Sequence, residues 1–149
     1  MFALLVVACF AAFFVTQRLK HTPTVVQRFE LTPFFSPTPH GHVRLEAISF
    51  KLSRSDQVTV TIVDSAGNDV ATLVHDHTLA RYKQFSLRWN GRRGSASRYA
   101  FVTTESGRSV LLPLTRGAPA PGGEYRVRVS LRDEQRTVLS PRTFTLVRQ

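Results

Sequence analysis

The stretch Phe85-Ser86-Leu87-Arg88-Trp89-Asn90-Gly91-Arg92-Arg93-Gly94 decides how this chain is read. Its first half alternates strictly, with Phe85, Leu87 and Trp89 on one parity and Ser86 and Arg88 on the other. Successive side chains of a β-strand point to opposite faces, so this is a strand with one apolar face. Its second half, Asn-Gly and two arginines, has the composition of a tight turn. Two readings compete: an aromatic ring and guanidinium groups set out for a ligand, or a core strand that ends in a turn. Trp89 shares its parity with Phe85 and Leu87, which favours the core strand. The indole is then expected between two sheets, with Arg92 and Arg93 in the turn.

Outward from this strand the period stays at two. Val43 and Leu45 lie on one parity and Ile48, Phe50 and Leu52 on the other, a switch at Glu46-Ala47 that predicts a β-bulge. Val58, Val60 and Ile62 alternate with Thr59 and Thr61, and Ser65-Ala66-Gly67-Asn68 supplies a turn before a short strand over Val70 to Val74. Arg98 to Thr104 and Ser109 to Leu114 flank Glu105-Ser106-Gly107-Arg108, a hairpin with a Gly turn. Tyr125, Val127, Val129 and Leu131 alternate with Arg126, Arg128, Ser130 and Arg132, and Thr143 to Leu146 closes the chain. Roughly seven to nine short strands without a helix predict an all-β fold, an antiparallel β-sandwich of the Ig-like kind.

The chain has 149 residues, 42% of them apolar, which suits one domain with an appendage. Residues 1–17 hold no charged side chain and are followed by Arg18 and Lys20. At about 1.5 Å per residue they span roughly 25 Å, and the flanking cations extend that reach by snorkelling. They are read as a transmembrane or signal-anchor helix. A cleaved signal peptide is the alternative, although a basic n-region is lacking, and Val6-Val7-Ala8-Cys9 loosely resembles a lipoprotein box. The cations after the run would place the body in the cytoplasm, whereas its sandwich character favours the outside. Residues 18–34 carry Pro23 and Pro33 and read as a linker that adds an edge strand near Val25 to Leu31. The sandwich is expected over 35–149.

Three pieces in order resemble the FlgD Ig-like domain, a bacterial Ig-like module named for the flagellar hook-capping protein. These are Asp64, Gly67 and Val70 in a D-x-x-G-x-x-V turn; Trp89, Asn90, Gly91 and Arg92 in place of W-D-G-R; and Pro121, Gly123 and Tyr125 in a P-x-G-x-Y strand. The resemblance implies an Ig-like sandwich, a core signature of Gly67, Trp89, Gly91 and Tyr125, and scaffolding or adhesion work at the cell envelope. Two departures stand out. Asn90 replaces the family's aspartate and is expected to keep the turn by tolerating positive φ. The segment between the second and third pieces is longer than in the family and contains the Arg98–Leu114 hairpin, an insertion at about 98–114. The family's cation-suited acidic opening reads Phe35-Ser36-Pro37-Thr38-Pro39-His40-Gly41-His42 here, with no carboxylate, so calcium is not carried over.

The chain contains no nucleophile-elbow, zincin, P-loop or paired-carboxylate motif, and its one cysteine, Cys9, lies in the apolar run. A non-catalytic protein without cofactor or metal is therefore expected. His40 with His42, and His75 with His77, have the i, i+2 spacing that turns two imidazoles to one strand face, yet they read as loop histidines. Twenty Lys and Arg against ten Asp and Glu give a formal net charge of +10, an attraction for polyanions. Arg126, Arg128 and Arg132 share one parity and Arg88 has the outward parity of its own strand. If their strands are neighbours they form a basic stripe for wall polymer or anionic lipid. Nucleic acid is disfavoured, since no exposed aromatics interleave with the arginines. The expected partners are the membrane, through residues 1–17, and an envelope protein or a second copy, through the hairpin at 98–114.

Overall fold

The computed structural model describes residues 26–38, 41 and 43–148. The anchor expected over 1–17, the linker before Val26, and His40 and His42 lie outside the described residues.

The described chain is all-β. Its strands are β1 (Val26–Leu31), β2 (Phe34–Phe35), β3 (Glu46–Leu52), β4 (Asp56–Asp64), β5 (Asp69–Leu79), β6 (Phe85–Trp89), β7 (Gly94–Ser95), β8 (Arg98–Thr103), β9 (Ser109–Leu114), β10 (Gly123–Leu131), β11 (Arg136–Leu139) and β12 (Phe144–Leu146). Among the described residues no helix is long and apolar enough to cross a membrane. One sheet runs β1-β3-β6-β9-β8; the other runs β2-β12-β10-β4-β5-β7, with β11 paired to β10. Both sheets are mixed rather than purely antiparallel, because β6–β9, β5–β7 and β12–β2 pair in parallel. Each parallel pair joins strands separated by a crossover, which an alternation pattern alone does not reveal.

The two inner faces meet over one core. β3 and β6 contribute Ile48, Phe50, Leu52, Leu87 and Trp89, opposite Val58, Val60 and Ile62 of β4 and Tyr125, Val127 and Val129 of β10. β1 is the edge strand expected near Val25 to Leu31; it joins β3 and puts Val26 into the core. Other strands go beyond what the alternation indicates. β2 carries Phe35, buried against Trp89 and Phe144 with ring centroids 5.6 and 6.0 Å away. β5 outruns the expected short strand because a bulge shifts its pairing between Val58↔His77 and Val60↔Val74. Asp76, at φ 46°, sits within that shift, and its amide donates to Thr59 Oγ1 at 3.1 Å.

The bulge expected at Glu46-Ala47 is absent. β3 begins at Glu46, and Glu46, Ile48, Phe50 and Leu52 all point inward in one unbroken alternation. The parity switch in the sequence arises because Val43 is exposed and precedes the strand, while a carboxylate occupies the first core position.

Two hairpin turns share one geometry. Asp64 N–H donates to Asn68 O and Gly67 N–H to Asp64 O; Thr104 N–H donates to Arg108 O and Gly107 N–H to Thr104 O. Gly67 (φ 84°) and Gly107 (φ 81°) hold the left-handed position that this three-residue hairpin loop requires. Asp64 Oδ1 accepts from the amides of Ala66 and Asn68, and Thr104 Oγ1 from that of Arg108. The side chain that opens each turn therefore satisfies amides that the loop leaves over.

Candidate functional site

The strand that opened the sequence reading ends in a tightly bonded corner. Trp89 is fully buried, 5.7 Å from the ring of Tyr125 and 6.0 Å from that of Phe144, and its Nε1–H donates to Arg92 O at 3.0 Å. The indole is thus enclosed by core rings and its one donor is spent on the turn, which leaves no face for a ligand. Gly91, not Asn90, takes the positive φ, at 80°. Asn90 holds the turn through its side chain instead. Its Oδ1 accepts from Arg92 N–H at 3.0 Å and lies 2.7 Å from Thr115 Oγ1, and its Nδ2 donates to Thr115 O at 3.2 Å. That last bond needs an amide donor, which the aspartate of the resembled motif lacks. Arg92 and Arg93 are exposed in the turn.

A Cβ at Gly91 would stand 3.2 Å from Pro37 Cγ and within 3.5 Å of Phe35 and Leu146. Gly91→Ala combines left-handed strain with this crowding, so it should lower stability by about 1–2 kcal/mol or more. The check is a denaturation midpoint compared with Gly67→Ala, where nothing lies within 4 Å of the added Cβ and only the strain is felt.

Tyr125 anchors the opposite sheet. Its hydroxyl donates to Pro121 O, and burial pushes its pKa up. Arg148 donates to Ala120 O and Gly91 O, and so closes the chain's end over the same corner.

The four arginines do not form one stripe. Arg88 lies on β6 in the five-stranded sheet, whereas Arg126 and Arg128 lie on β10 in the other, so the condition that these strands be neighbours fails. Arg128 pairs with Asp69 at 2.7 Å. Arg132, just past β10, reaches Gln57 Oε1 at 3.1 Å and Asp76 Oδ2 at 3.4 Å. Arg126 and Arg128 line a groove of about 600 Å³ together with Asp64 and Glu124, a mixed rather than a cationic surface.

The histidines of β5 diverge for a structural reason. With Asp76 bulged between them, His75 lies 3.4 Å from Thr59 Oγ1 on the outer face, while His77 stacks on Phe85 at 5.0 Å. The i, i+2 spacing assumed an unbroken strand. Among the described residues no group of three His, Cys, Asp or Glu side chains is placed to hold a metal ion.

Two features escaped the sequence reading. The first is Glu46, which is fully buried with neither carboxylate oxygen hydrogen-bonded. Burial raises its pKa to about 8; the nearby Thr32 amide and the charge of Arg88 oppose the shift only in part. Arg88 in turn is pushed down by burial and partly restored by Glu46. Extending the parity of Leu52, Phe50 and Ile48 back one step would have found this position. Asp56 shows the contrast, for its buried carboxylate accepts from the amides of Gln57, Asp133 and Glu134.

The second feature is a groove of about 850 Å³ beneath the β8–β9 hairpin, walled by the end of β5 and floored by Phe85, Leu111 and Phe101. The register Leu87↔Leu111↔Phe101 places Phe101 on the core side of its sheet, yet β8 extends past the cover of the other sheet and Phe101 is 73% exposed. Set against known protein families, curated proteins and solved structures, the chain matches none.

Proposed function

We propose that this chain is a non-catalytic, Ig-like interaction module of the bacterial cell envelope, with residues 1–17 as a single membrane anchor, the body outside the membrane, and the β8–β9 hairpin as its working surface. The observation that carries the reading is the hairpin itself. β9 is a central strand between β6 and β8, whereas β8 is a sheet edge with Tyr99 and Phe101 exposed. An uncovered edge bearing large aromatics is an association surface or an aggregation hazard, and a body of high net charge is protected from non-specific clumping. The Ig-like assignment draws support from the two-layered core around Trp89 and from the bond of Tyr125 back to Pro121, which resembles the tyrosine corner of such sandwiches. The anchor draws support from the uncharged run over residues 1–17, and the outward placement of the body from its sandwich character, against the inward preference of Arg18 and Lys20. The polyanion alternative loses its geometric basis once the arginines fall on different sheets.

The test combines fractionation with a surface variant. Full-length protein is expected with membranes and is released by deletion of residues 1–17. A Tyr99→Ser/Phe101→Ser variant is expected to keep its melting temperature, since both side chains are exposed, and to leave the complex that the wild type forms in solubilised membranes. A variant that migrates in the same complex as the wild type removes the hairpin from the function. Full-length protein in the soluble fraction removes the anchor.

A further inference from the structure

Among the described residues, each edge of the two sheets carries a device that blunts it, except one. β1 has a bulge between Gln27 and Glu30, with Arg28 at φ 48°; β2 and β7 are two residues long and β11 is four. These are the usual defences against unwanted strand pairing. β8 has six residues, no proline, no bulge and one charged residue, Arg98, at its start.

The free hydrogen-bonding groups of β8 follow from its register. Thr104 N–H donates to Arg108 O, and pairs in an antiparallel ladder alternate between bonded and non-bonded. Val102↔Val110, Ala100↔Leu112 and Arg98↔Leu114 are therefore the bonded pairs. Tyr99, Phe101 and Thr103 aim their N–H and C=O groups at the open edge. Phe101 also floors the groove, so a strand laid on this edge would drop alternate side chains into it. Lys83, Arg108 and His77 line that groove and no Asp or Glu does; Glu105, in the hairpin turn, is not among the lining residues.

We propose that β8 accepts an extended acidic segment of a partner protein as an added strand, with one apolar side chain against Phe101 and carboxylates facing Lys83 and Arg108. The inference rests on the reading of the hairpin as the working surface and names the chemistry of its partner. Main-chain bonds to Tyr99, Phe101 and Thr103 hold the segment, and the groove selects its alternate side chains. A second copy fits less well. β8 against β8 would bring together two edges rimmed by Lys83 and Arg108, on chains of net charge +10.

The probe is a fluorescently labelled seven-residue peptide alternating Glu and Val with a central Phe, titrated with the full-length chain and read by anisotropy. Binding is expected to weaken about tenfold or more when alternate peptide amides are N-methylated, or in the Phe101→Ala protein. The Lys83→Glu/Arg108→Glu protein is expected to lose the acidic peptide and prefer its Lys-for-Glu counterpart. Phe101 is exposed and both cations lie at the groove, so unchanged melting temperatures verify that each variant folds. If the Lys peptide or a Gln peptide binds the wild type equally well, but Phe101→Ala still abolishes binding, the acidic specificity is wrong and the hairpin reading stands. If no peptide binds and sedimentation shows a dimer that Phe101→Ala dissociates, the occupant is a second copy and this proposal is overturned. If neither peptide nor dimer depends on Phe101, the proposal and the hairpin reading fall together.

Discussion

Trp89→Ala should lower the stability of the sandwich by about 3–5 kcal/mol, the range for truncating a fully buried large aromatic. For a body of this size that corresponds to a fall of roughly 10–20 °C in Tm. Three effects add. The indole is removed from a cluster with Phe35, Tyr125 and Phe144, all with centroids within 6.0 Å. Those rings come from β2, β10 and β12 of the opposite sheet, so the cavity opens at the contact between layers, where neither sheet can collapse without shifting the other. The Arg92 carbonyl also loses its indole donor, although Thr115 Oγ1 at 2.9 Å still reaches it. Trp89→Phe should cost less than half as much, because a ring still fills most of the space between the sheets; the loss of the indole donor is common to both variants. Urea unfolding of the three proteins checks the order. An unchanged midpoint for Trp89→Ala would mean that the indole does not pack between the sheets.

The strands legible in the sequence were those whose two faces differ. β6, β4 and β10 alternate cleanly because one face is core and the other solvent, and their boundaries follow from Asn-Gly, Ser-Ala-Gly-Asn and Pro-Ala-Pro-Gly-Gly at their ends. What stayed hidden had a local cause in each case. β2 and β7 are too short to show a period. The end of β5 looked like a loop because polar His75, Asp76 and His77 run on from an apolar stretch, and only the bulge at Asp76 reconciles them with a continuing strand. Strand order was beyond reach as well. Arg88 and Arg128 share an outward parity, but parity does not say which sheet a strand joins, and the two fall on opposite layers. The hairpin at 98–114 was readable as two apolar strands. The groove beneath it was not, since it depends on β9 pairing in parallel with β6 and carrying β8 past the edge of the other sheet.

Glu46→Met should stabilise the protein, and by more as the pH rises. An ordinary carboxyl loses its proton near pH 4.5, whereas burial holds the Glu46 proton to about pH 8. Between those values the folded state keeps a proton that the unfolded state has released. Stability is therefore full below about pH 4.5, declines through the window, and levels off above about pH 8. At 1.36 kcal/mol per pH unit the whole window is worth on the order of 4–5 kcal/mol, and about 3 kcal/mol of that is already lost at pH 7. Neither oxygen has a hydrogen-bond partner at normal distance, and the nearby Thr32 amide and the charge of Arg88 lower the shift without cancelling it. Methionine matches the length of glutamate, carries no charge, and sets a polarizable sulfur beside Trp89, the cross-strand partner of Glu46. Wild type and Glu46→Met differ in this one titration, so subtracting their unfolding curves isolates it from every other group. The gap should widen by about 3 kcal/mol between pH 5.5 and pH 8.5. A gap that stays constant across that range would mean that the carboxylate reaches water and titrates normally, and that β3 does not begin inside the core.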